Sequence, residues 1–146
     1  MGNNQEFRGK KLLVLGGITL ACDIVRHAQA MGVYVVVADY DRNSPAKKIA
    51  DKAVLIDALD VDTIVELCKL ENIDGITTGF VDILLAPCYE VCKRLGLPYY
   101  VTPKMLTMST NKIDFKDTCD RYDVPVPKTY LVGDLIPVEM YDKINY

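Results

Sequence analysis

The sequence predicts an α/β protein in which a parallel β-sheet carries helices on both faces. Short apolar segments alternate with amphipathic helical segments through most of the chain. The apolar segments are continuous and rich in Val, Ile and Leu, which is typical of strands that are buried on both faces. Glycines follow several of these segments, as expected where a strand enters a turn or a helix ends. Such alternation favours parallel strands joined by crossover helices.

The composition is that of one globular domain. The chain has 146 residues, of which 50% are hydrophobic and 25% are charged, and a chain of this length can bury about two-thirds of its unfolded surface. Its net charge is −3 and it has no basic stripe, so a nucleic-acid partner is not expected. No apolar run approaches the ~20 residues of a membrane span. Because the polar start lacks the apolar core of a secretion signal, we expect a cytoplasmic protein with no membrane partner.

Three strands and one long helix are predicted before residue 57. Residues 11–15 are apolar and end in a glycine pair, as does a buried strand that enters a turn. Residues 19–31 have helical periodicity and stop at a glycine, a natural C-terminal cap. Residues 33–39 are the most strand-like, because they contain a run of β-branched side chains. A polar loop and a short turn at 46–51 lead into the third strand at 53–56.

Two further strands and four helices are predicted after that point. Asp60 can cap a helix whose apolar residues recur at helical spacing, and a fourth strand follows at 75–78. Pro87 is placed at the start of the next helix, which ends at a glycine, and 99–101 is predicted as a fifth strand. Two short helices are expected at 103–108 and 111–122. Past Pro127 the pattern weakens, and 133–146 reads as a strand, a linker and one helical turn.

The cysteines and the single histidine do not form a convincing metal site. All five cysteines fall in predicted helices. Cys88 and Cys92 are four residues apart and share a helix face, on which a metal site could begin. No second pair has metal-finger spacing, so buried reduced thiols are the better interpretation. His27 falls on the polar side of the first helix, which predicts a solvent-exposed histidine rather than a catalyst.

The candidate ligand pocket follows from topology alone. Ligands of an open parallel sheet bind outside the carboxyl ends of its strands. The residues at those ends follow the first, second and fourth predicted strands. By position, the candidate substrate-binding residues are Gly16, Gly17, Ile18, Asp39, Thr78 and Gly79, with Tyr40, Asp41, Arg42 and Phe80 beside them.

A dinucleotide cofactor is an alternative that the first turn disfavours. The fingerprint of such a site is Gly-x-Gly-x-x-Gly or Ala, whereas this chain has Ile18 in place of the middle glycine. A branched side chain there blocks close approach of a pyrophosphate. Asp39 ends the second strand, about where a ribose-binding acid belongs, but an acid is also a common way for a strand to leave the core. A tight turn that feeds the first helix is the better explanation of the glycines.

Lys112 stands at the start of a predicted helix, where a cation opposes the helix dipole. If Thr110 or Asn111 caps that helix, Lys112 and Lys116 share one face of its first two turns. A helix N-terminus with ammonium groups suits a phosphate. A pair of solvated surface lysines is the alternative, and the residues alone favour it because surface lysines are common.

Four short motifs carry a resemblance to a known superfamily. They are Leu-Gly-Leu-Pro-Tyr at 95–99, Thr-Pro at 102–103, Asn-Lys at 111–112 and Val-Pro-Val-Pro at 124–127. With the upstream strand–helix units, their order and spacing resemble the segment that leads into the ATP-grasp ligases, such as biotin carboxylase and the carbamoyl-phosphate synthetase large subunit. The resemblance covers about residues 10–132. It implies a Rossmann-like pre-ATP-grasp domain at 10–108, between a polar tail at 1–9 and a linker helix with the start of an ATP-grasp domain at 109–146.

The resemblance also implies a chemistry. ATP-grasp ligases use ATP and Mg²⁺ to activate a carboxylate as an acylphosphate, which an amine or thiol then attacks. Lys112 matches the first nucleotide-contacting basic residue of the superfamily. Gly79 and Asp82 match a glycine-plus-acid position at the start of the helix after the fourth strand, and Asp82 is therefore added to the candidate substrate-binding residues, although the superfamily usually has glutamate where this chain has Asp82. Small carboxylate and amine substrates are therefore expected of the parent enzyme.

The chain departs from the superfamily in what it lacks. A complete grasp needs a second lysine on a strand, a glycine-rich phosphate loop and later acidic metal ligands, and none occurs before Tyr146. We therefore expect a truncated part of a ligase that is inactive alone and binds no ATP or Mg²⁺ tightly. A homodimer is expected as the commonest default. The alternatives are a free-standing Rossmann-like module for a nucleotide or sugar nucleotide, and a non-catalytic interaction domain that docks a partner through its sheet edge or its final segment.

Overall fold

A four-stranded parallel sheet organises the computed structural model, which describes residues 7–127. The strands are β1 (Lys11–Leu15), β2 (Tyr34–Asp39), β3 (Lys52–Leu55) and β4 (Gly75–Thr77). The helices are α1 (Ala21–Ala30), α2 (Val61–Glu71), α3 (Leu85–Leu95), α4 (Pro103–Thr110) and α5 (Lys112–Arg121), and short 3₁₀ helices lie at Pro45–Lys48 and Asp82–Leu84. In the described part of the chain, no helix is both long and apolar enough to cross a membrane.

The strand order is β3-β2-β1-β4, and every neighbouring pair is parallel. The chain adds β2 and β3 on one side of β1 and then places β4 on the other side, so the topological switch point lies between β1 and β4. Lys11 is in register with Tyr34, Leu12 with Gly75, and Val36 with Lys52. This register brings the carboxyl ends of the four strands to one edge of the sheet. The predicted α/β fold with a parallel sheet is therefore confirmed.

The sheet separates two hydrophobic clusters, one on each face. On one face, alternate residues of β1 and β2 pack with the apolar sides of α2 and α3; members of this cluster include Leu13, Leu15, Val36, Ile64 and Val91. On the other face, the intervening residues pack with α1 and with Ala46; these include Val14, Val25, Val35 and Val37. Since successive side chains of a strand point to opposite faces, this division requires the central residues of β1 and β2 to be apolar on both faces.

Local capping explains where most helices begin and end. The Asp60 carboxylate accepts hydrogen bonds from the Thr63 amide at 3.1 Å and the Thr63 hydroxyl at 2.6 Å, which confirms the predicted cap of α2. Thr102 caps α4 in the same way, through the Met105 amide. Gly96 ends α3 in the left-handed conformation, as predicted. The helix predicted at 19–31 is observed at Ala21–Ala30, and Leu20 at its N-cap makes no side-chain hydrogen bond.

Two predictions of secondary structure are wrong. The segment 99–101 is irregular rather than a fifth strand. Val101 is buried and Tyr99 packs against the hydrophobic cluster that includes α2 and α3, so these two side chains reach the core without strand pairing. Pro87 does not start α3, which begins at Leu85. Proline in a first turn removes an amide that has no helical partner. The strand, linker and helical turn predicted past Pro127 lie outside the described residues.

Candidate functional site

A pocket of about 390 Å³ lies at the carboxyl edge of the sheet, where the topology predicts ligand binding. All four strands contribute to its wall. The lining residues are Gly16 and Ile18 after β1, residues 39–41 with Ser44 and Pro45 after β2, residues 57–59 after β3, and Val81, Ile83 and Leu84 after β4. The wall is mainly apolar, and its charged groups are the carboxylates of Asp39, Asp41 and Asp57. A volume of this size suits a small organic ligand.

Asp39 ties two loops of the pocket together. Its side chain is only 6% exposed. One carboxylate oxygen accepts a hydrogen bond from the Gly17 amide, and the other accepts one from the Asp41 amide at 2.7 Å. Hydrogen bonds to an ionised acceptor are stronger than neutral ones. The residue at the end of β2 therefore fixes both the β1–α1 turn and its own loop.

Gly17 is required at its position by close packing. A Cβ atom at Gly17 would lie within clash distance of the Ser44 hydroxyl, 2.8 Å from Ser44 Cβ and 3.3 Å from Asp39 Oδ2. The Gly17 carbonyl also accepts a hydrogen bond from the Ala46 amide at 3.0 Å. Ser44 itself is 4% exposed, and its hydroxyl makes no hydrogen bond among the described residues. The turn and the 3₁₀ helix at Pro45–Lys48 are thus in direct contact.

Lys47 is a buried cation beside this pocket that sequence reasoning missed. Its ammonium donates to the carbonyl oxygens of Asp39 at 3.0 Å and Asp41 at 2.9 Å. Lysines are rarely this buried, and nothing in the local pattern of a polar loop marks one that is. The closest available indication was the short spacing between Asp39 and a run of lysines.

The predicted residues after β4 lie near the pocket but not in its lining. Thr78 is buried, and Gly79 has a φ of +51°, where a Cβ would meet Ile24 Cδ1 of α1 at 2.7 Å. A side chain at position 79 is therefore disfavoured both by the backbone conformation and by the close packing of α1. Asp82 begins the second 3₁₀ helix with an exposed side chain. Of the seven predicted substrate-binding residues, Gly16, Ile18 and Asp39 line the cavity.

Lys112 is exposed at the first residue of α5 and is not part of the pocket lining. Asn111 caps the helix, and its side-chain oxygen accepts from the amides of Ile113 at 2.9 Å and Asp114 at 3.3 Å. Lys116 donates to the Pro127 carbonyl at 2.8 Å. The predicted cap is confirmed, whereas nucleotide binding by Lys112 stays a prediction.

The cysteines are buried in helices as free thiols. Hydrogen bonding to Cys92, together with burial, raises the pKa of Cys88, and burial raises the pKa of Cys68 to about 12. Within residues 7–127, no three His, Cys, Asp or Glu side chains group so as to hold a metal ion. His27 is exposed on α1, and its Nδ1 lies 2.6 Å from the Asp23 carbonyl.

The chain is similar to known enzymes over most of its length. It is 41% identical over 120 residues to the formate-dependent phosphoribosylglycinamide formyltransferase of Sulfurisphaera tokodaii, a match that covers 82% of this chain and 30% of the relative. It is 40% identical to the enzyme of the same name from Ignicoccus hospitalis, over 100% of this chain and 37% of that relative. The chain thus spans about a third of the length of these relatives.

Solved structures of similar fold include ribonucleotide synthetases. N5-carboxyaminoimidazole ribonucleotide synthetase from Thermotoga maritima superposes with a TM-score of 0.69 and 28% identity, covering 86% of this chain and 34% of that one. The synthetase from Staphylococcus aureus complexed with ADP has a TM-score of 0.64 at 19% identity, covering 84% and 32%; at that identity it supports the fold alone.

The family match is consistent with the resemblance found in the motifs. Residues 9–111 match the model of the ribonucleotide synthetase preATP-grasp domain, which is more than half of the chain. The four-stranded parallel sheet with helices on both faces is the architecture that the resemblance implied. The chain belongs to the preATP-grasp domain family of the ribonucleotide synthetases.

Proposed function

We propose that this chain forms the amino-terminal domain of an ATP-dependent ligase that transfers a formyl group from formate to phosphoribosylglycinamide. The observation that carries the proposal is the 40% identity to a formate-dependent phosphoribosylglycinamide formyltransferase along the whole chain. The domain boundaries at 10–108 and 109–146 belong to the same proposal. Since the relatives are about three times as long, the remaining catalytic groups would come from an ATP-grasp domain that these residues do not include.

The pocket at the carboxyl edge is proposed to hold the acceptor. Three carboxylates line it, at Asp39, Asp41 and Asp57, and no lysine or arginine is among the described lining residues. Such a wall suits the amine end of phosphoribosylglycinamide and repels its phosphate. The apolar side chains around it, including Ile18 and Ile83, would exclude water from the reacting amine.

ATP would supply the phosphoryl group that activates formate as an acylphosphate. The acceptor amine then attacks the formyl carbon and loses a proton as the new C–N bond forms, and phosphate leaves with the electron pair of the C–O bond. Lys112 is the residue of this chain proposed to contact the nucleotide, because its exposed ammonium at a helix N-terminus suits a phosphate. Among residues 7–127 no three His, Cys, Asp or Glu side chains group as metal ligands, and the acidic ligands of Mg²⁺ are proposed to lie outside these residues.

Several finer features stay predictions. A carbamoyl-phosphate synthetase-like character, a cytoplasmic location and a homodimer are each expected from the sequence. The absence of a nucleic-acid partner is expected from the net charge of −3. Weak binding of Mg-ATP by the 146 residues alone follows from the proposal, because one lysine forms only part of a phosphate site.

The proposal is tested with the natural protein that contains this sequence. ADP and phosphate release would be measured with formate and phosphoribosylglycinamide, with each omitted in turn, and with bicarbonate and aminoimidazole ribonucleotide as the matched alternative pair. We expect turnover that requires both formate and phosphoribosylglycinamide and yields a formylated product. Preference for the bicarbonate pair, or no turnover with either, would overturn the proposed substrates. Tight Mg-ATP binding by the 146-residue chain in calorimetry would contradict the proposed division of the site.

A further inference from the structure

Lys47 is the least expected residue beside the pocket. It is 9% exposed, yet its ammonium forms no ion pair with a carboxylate among residues 7–127 and is held by two backbone carbonyls. Burying an ammonium group is unfavourable unless its hydrogen bonds are made. The carbonyls that it binds belong to Asp39, the last residue of β2, and to Asp41 in the loop that follows. Both residues line the pocket.

The hydrogen bonds around Lys47 close a ring that joins three segments. The Gly17 and Asp41 amides donate to the Asp39 carboxylate, and the Ala46 amide donates to the Gly17 carbonyl. Lys47 completes the ring, since it follows Ala46 directly and donates back to the β2 loop. The β1–α1 turn, the β2 loop and the first 3₁₀ helix are thereby fixed relative to one another.

We propose that Lys47 is a positioning residue of the pocket, which holds the β2 loop at the place where its carboxylates face the acceptor amine. The identity of the acceptor rests on the proposed function, whereas the positioning role rests on the hydrogen bonds of Lys47 alone. A methionine has a similar apolar stem but no donor, so it would fill the space and release both carbonyls. The stem of Lys47 supplies packing, and its ammonium supplies the position of the loop.

The test compares Lys47→Met with Lys48→Met in the 146-residue chain. Lys48 is the next residue and is exposed, and its side chain makes no hydrogen bond within the described part of the chain. Amide hydrogen exchange is followed by NMR, with α2 as the internal reference on the opposite face. In Lys47→Met, we expect the exchange rates of the Gly17 and Asp41 amides to rise by about tenfold or more. A change of this size corresponds to the loss of a hydrogen bond to a charged group. The α2 amides and the Lys48→Met variant should keep wild-type rates.

A calorimetric titration with phosphoribosylglycinamide separates this role from the proposed function. If wild type binds it, Lys47→Met should weaken binding by about tenfold at a temperature where both proteins are folded. If the wild-type chain does not bind it, hydrogen exchange alone decides the role of Lys47, and the turnover assay of the natural protein decides the acceptor. Unchanged exchange at Gly17 and Asp41, or an equal rise in α2, would overturn the positioning role. If Lys47→Met does not fold, Lys47→Gln must show the same local pattern at smaller size, or the proposal fails.

Discussion

Replacing Gly17 with alanine tests the packing on which the pocket depends. The backbone at Gly17 does not have a positive φ, so alanine is conformationally acceptable there and the effect is one of space. The new Cβ would lie 2.8 Å from Ser44 Cβ and 3.3 Å from Asp39 Oδ2, and it would also meet the Ser44 hydroxyl. Rotation of Ser44 can remove the hydroxyl contact, but its Cβ can move only with the backbone.

The expected cost is about 2–4 kcal/mol of unfolding free energy. Overpacking of a filled site costs typically ~1–3 kcal/mol. The rest comes from the charge-assisted hydrogen bond between the Gly17 amide and Asp39, which is worth ~1.5–3 kcal/mol and is partly lost when the turn shifts. Gly75→Ala is the matched control, because Gly75 has no positive φ either and its nearest neighbour, Leu12 Cδ1, is 3.8 Å from the built Cβ. That variant should be neutral or stabilised by up to ~1 kcal/mol.

Urea denaturation followed by far-ultraviolet circular dichroism measures both variants, since the chain has no tryptophan. Ser44→Gly should restore part of the loss in Gly17→Ala, with a coupling energy of about 0.5–3 kcal/mol in the double-mutant cycle, because it removes both serine contacts. Equal stability of Gly17→Ala and Gly75→Ala within ~0.5 kcal/mol would refute the packing argument. Additivity of Gly17→Ala with Ser44→Gly would show that Ser44 is not the group that resists the Cβ.

Three further predictions concern the core, a helix cap and pH. Ile64→Ala, at a fully buried position, should cost about 2–5 kcal/mol in urea denaturation, whereas Leu70→Ala, 77% exposed, should stay within ~0.5 kcal/mol. Asp60→Ala should lower the melting temperature more than Asp60→Asn; hydrogen bonds from Thr63 lower the pKa of Asp60, so the stability advantage of wild type over either variant is full above the ordinary pKa of the carboxyl and fades as pH falls through the lowered one. Burial raises the pKa of Cys68 from 9.0 to about 12, so its contribution to stability should be full below pH 9 and decline as pH rises, an effect that Cys68→Ala removes.

Much of the fold could be predicted because its determinants are local. The strand at 11–15 was predicted with its observed bounds, since a short apolar run followed by glycine is informative by itself. Asp60 caps the start of α2 and Gly96 ends α3, each through contacts within a few residues. The segment 99–101 shows the limit. Val101 is buried and Tyr99 packs on the core, as their apolar character predicts, but a strand also needs a partner whose position no local pattern gives.

Part of the candidate site could likewise be predicted from the sequence, and part could not. The topological rule for parallel sheets placed Gly16, Ile18 and Asp39 at the cavity, because it needs only the order of the strands. Ser44 and Lys47 were missed because their burial arises when the 3₁₀ helix closes on the β1–α1 turn. Such closure joins residues about thirty apart in sequence through backbone carbonyls. Carbonyls carry no residue identity, so a lysine that binds them looks in the sequence like any surface lysine.

The structure favours one of the two interpretations of Asp39 that the sequence left open. In the sequence, an acid at the end of the second strand is compatible with a ribose-binding residue as well as with a strand leaving the core. In the structure, each of its carboxylate oxygens already accepts a backbone amide, and its carbonyl accepts the ammonium of Lys47. A ribose hydroxyl would have to compete with charge-assisted hydrogen bonds that hold two loops in place. Asp39 therefore contributes to ligand binding by shaping the wall, and the acids with more freedom to meet a ligand are Asp41 and Asp57, each of which uses one oxygen for its own turn.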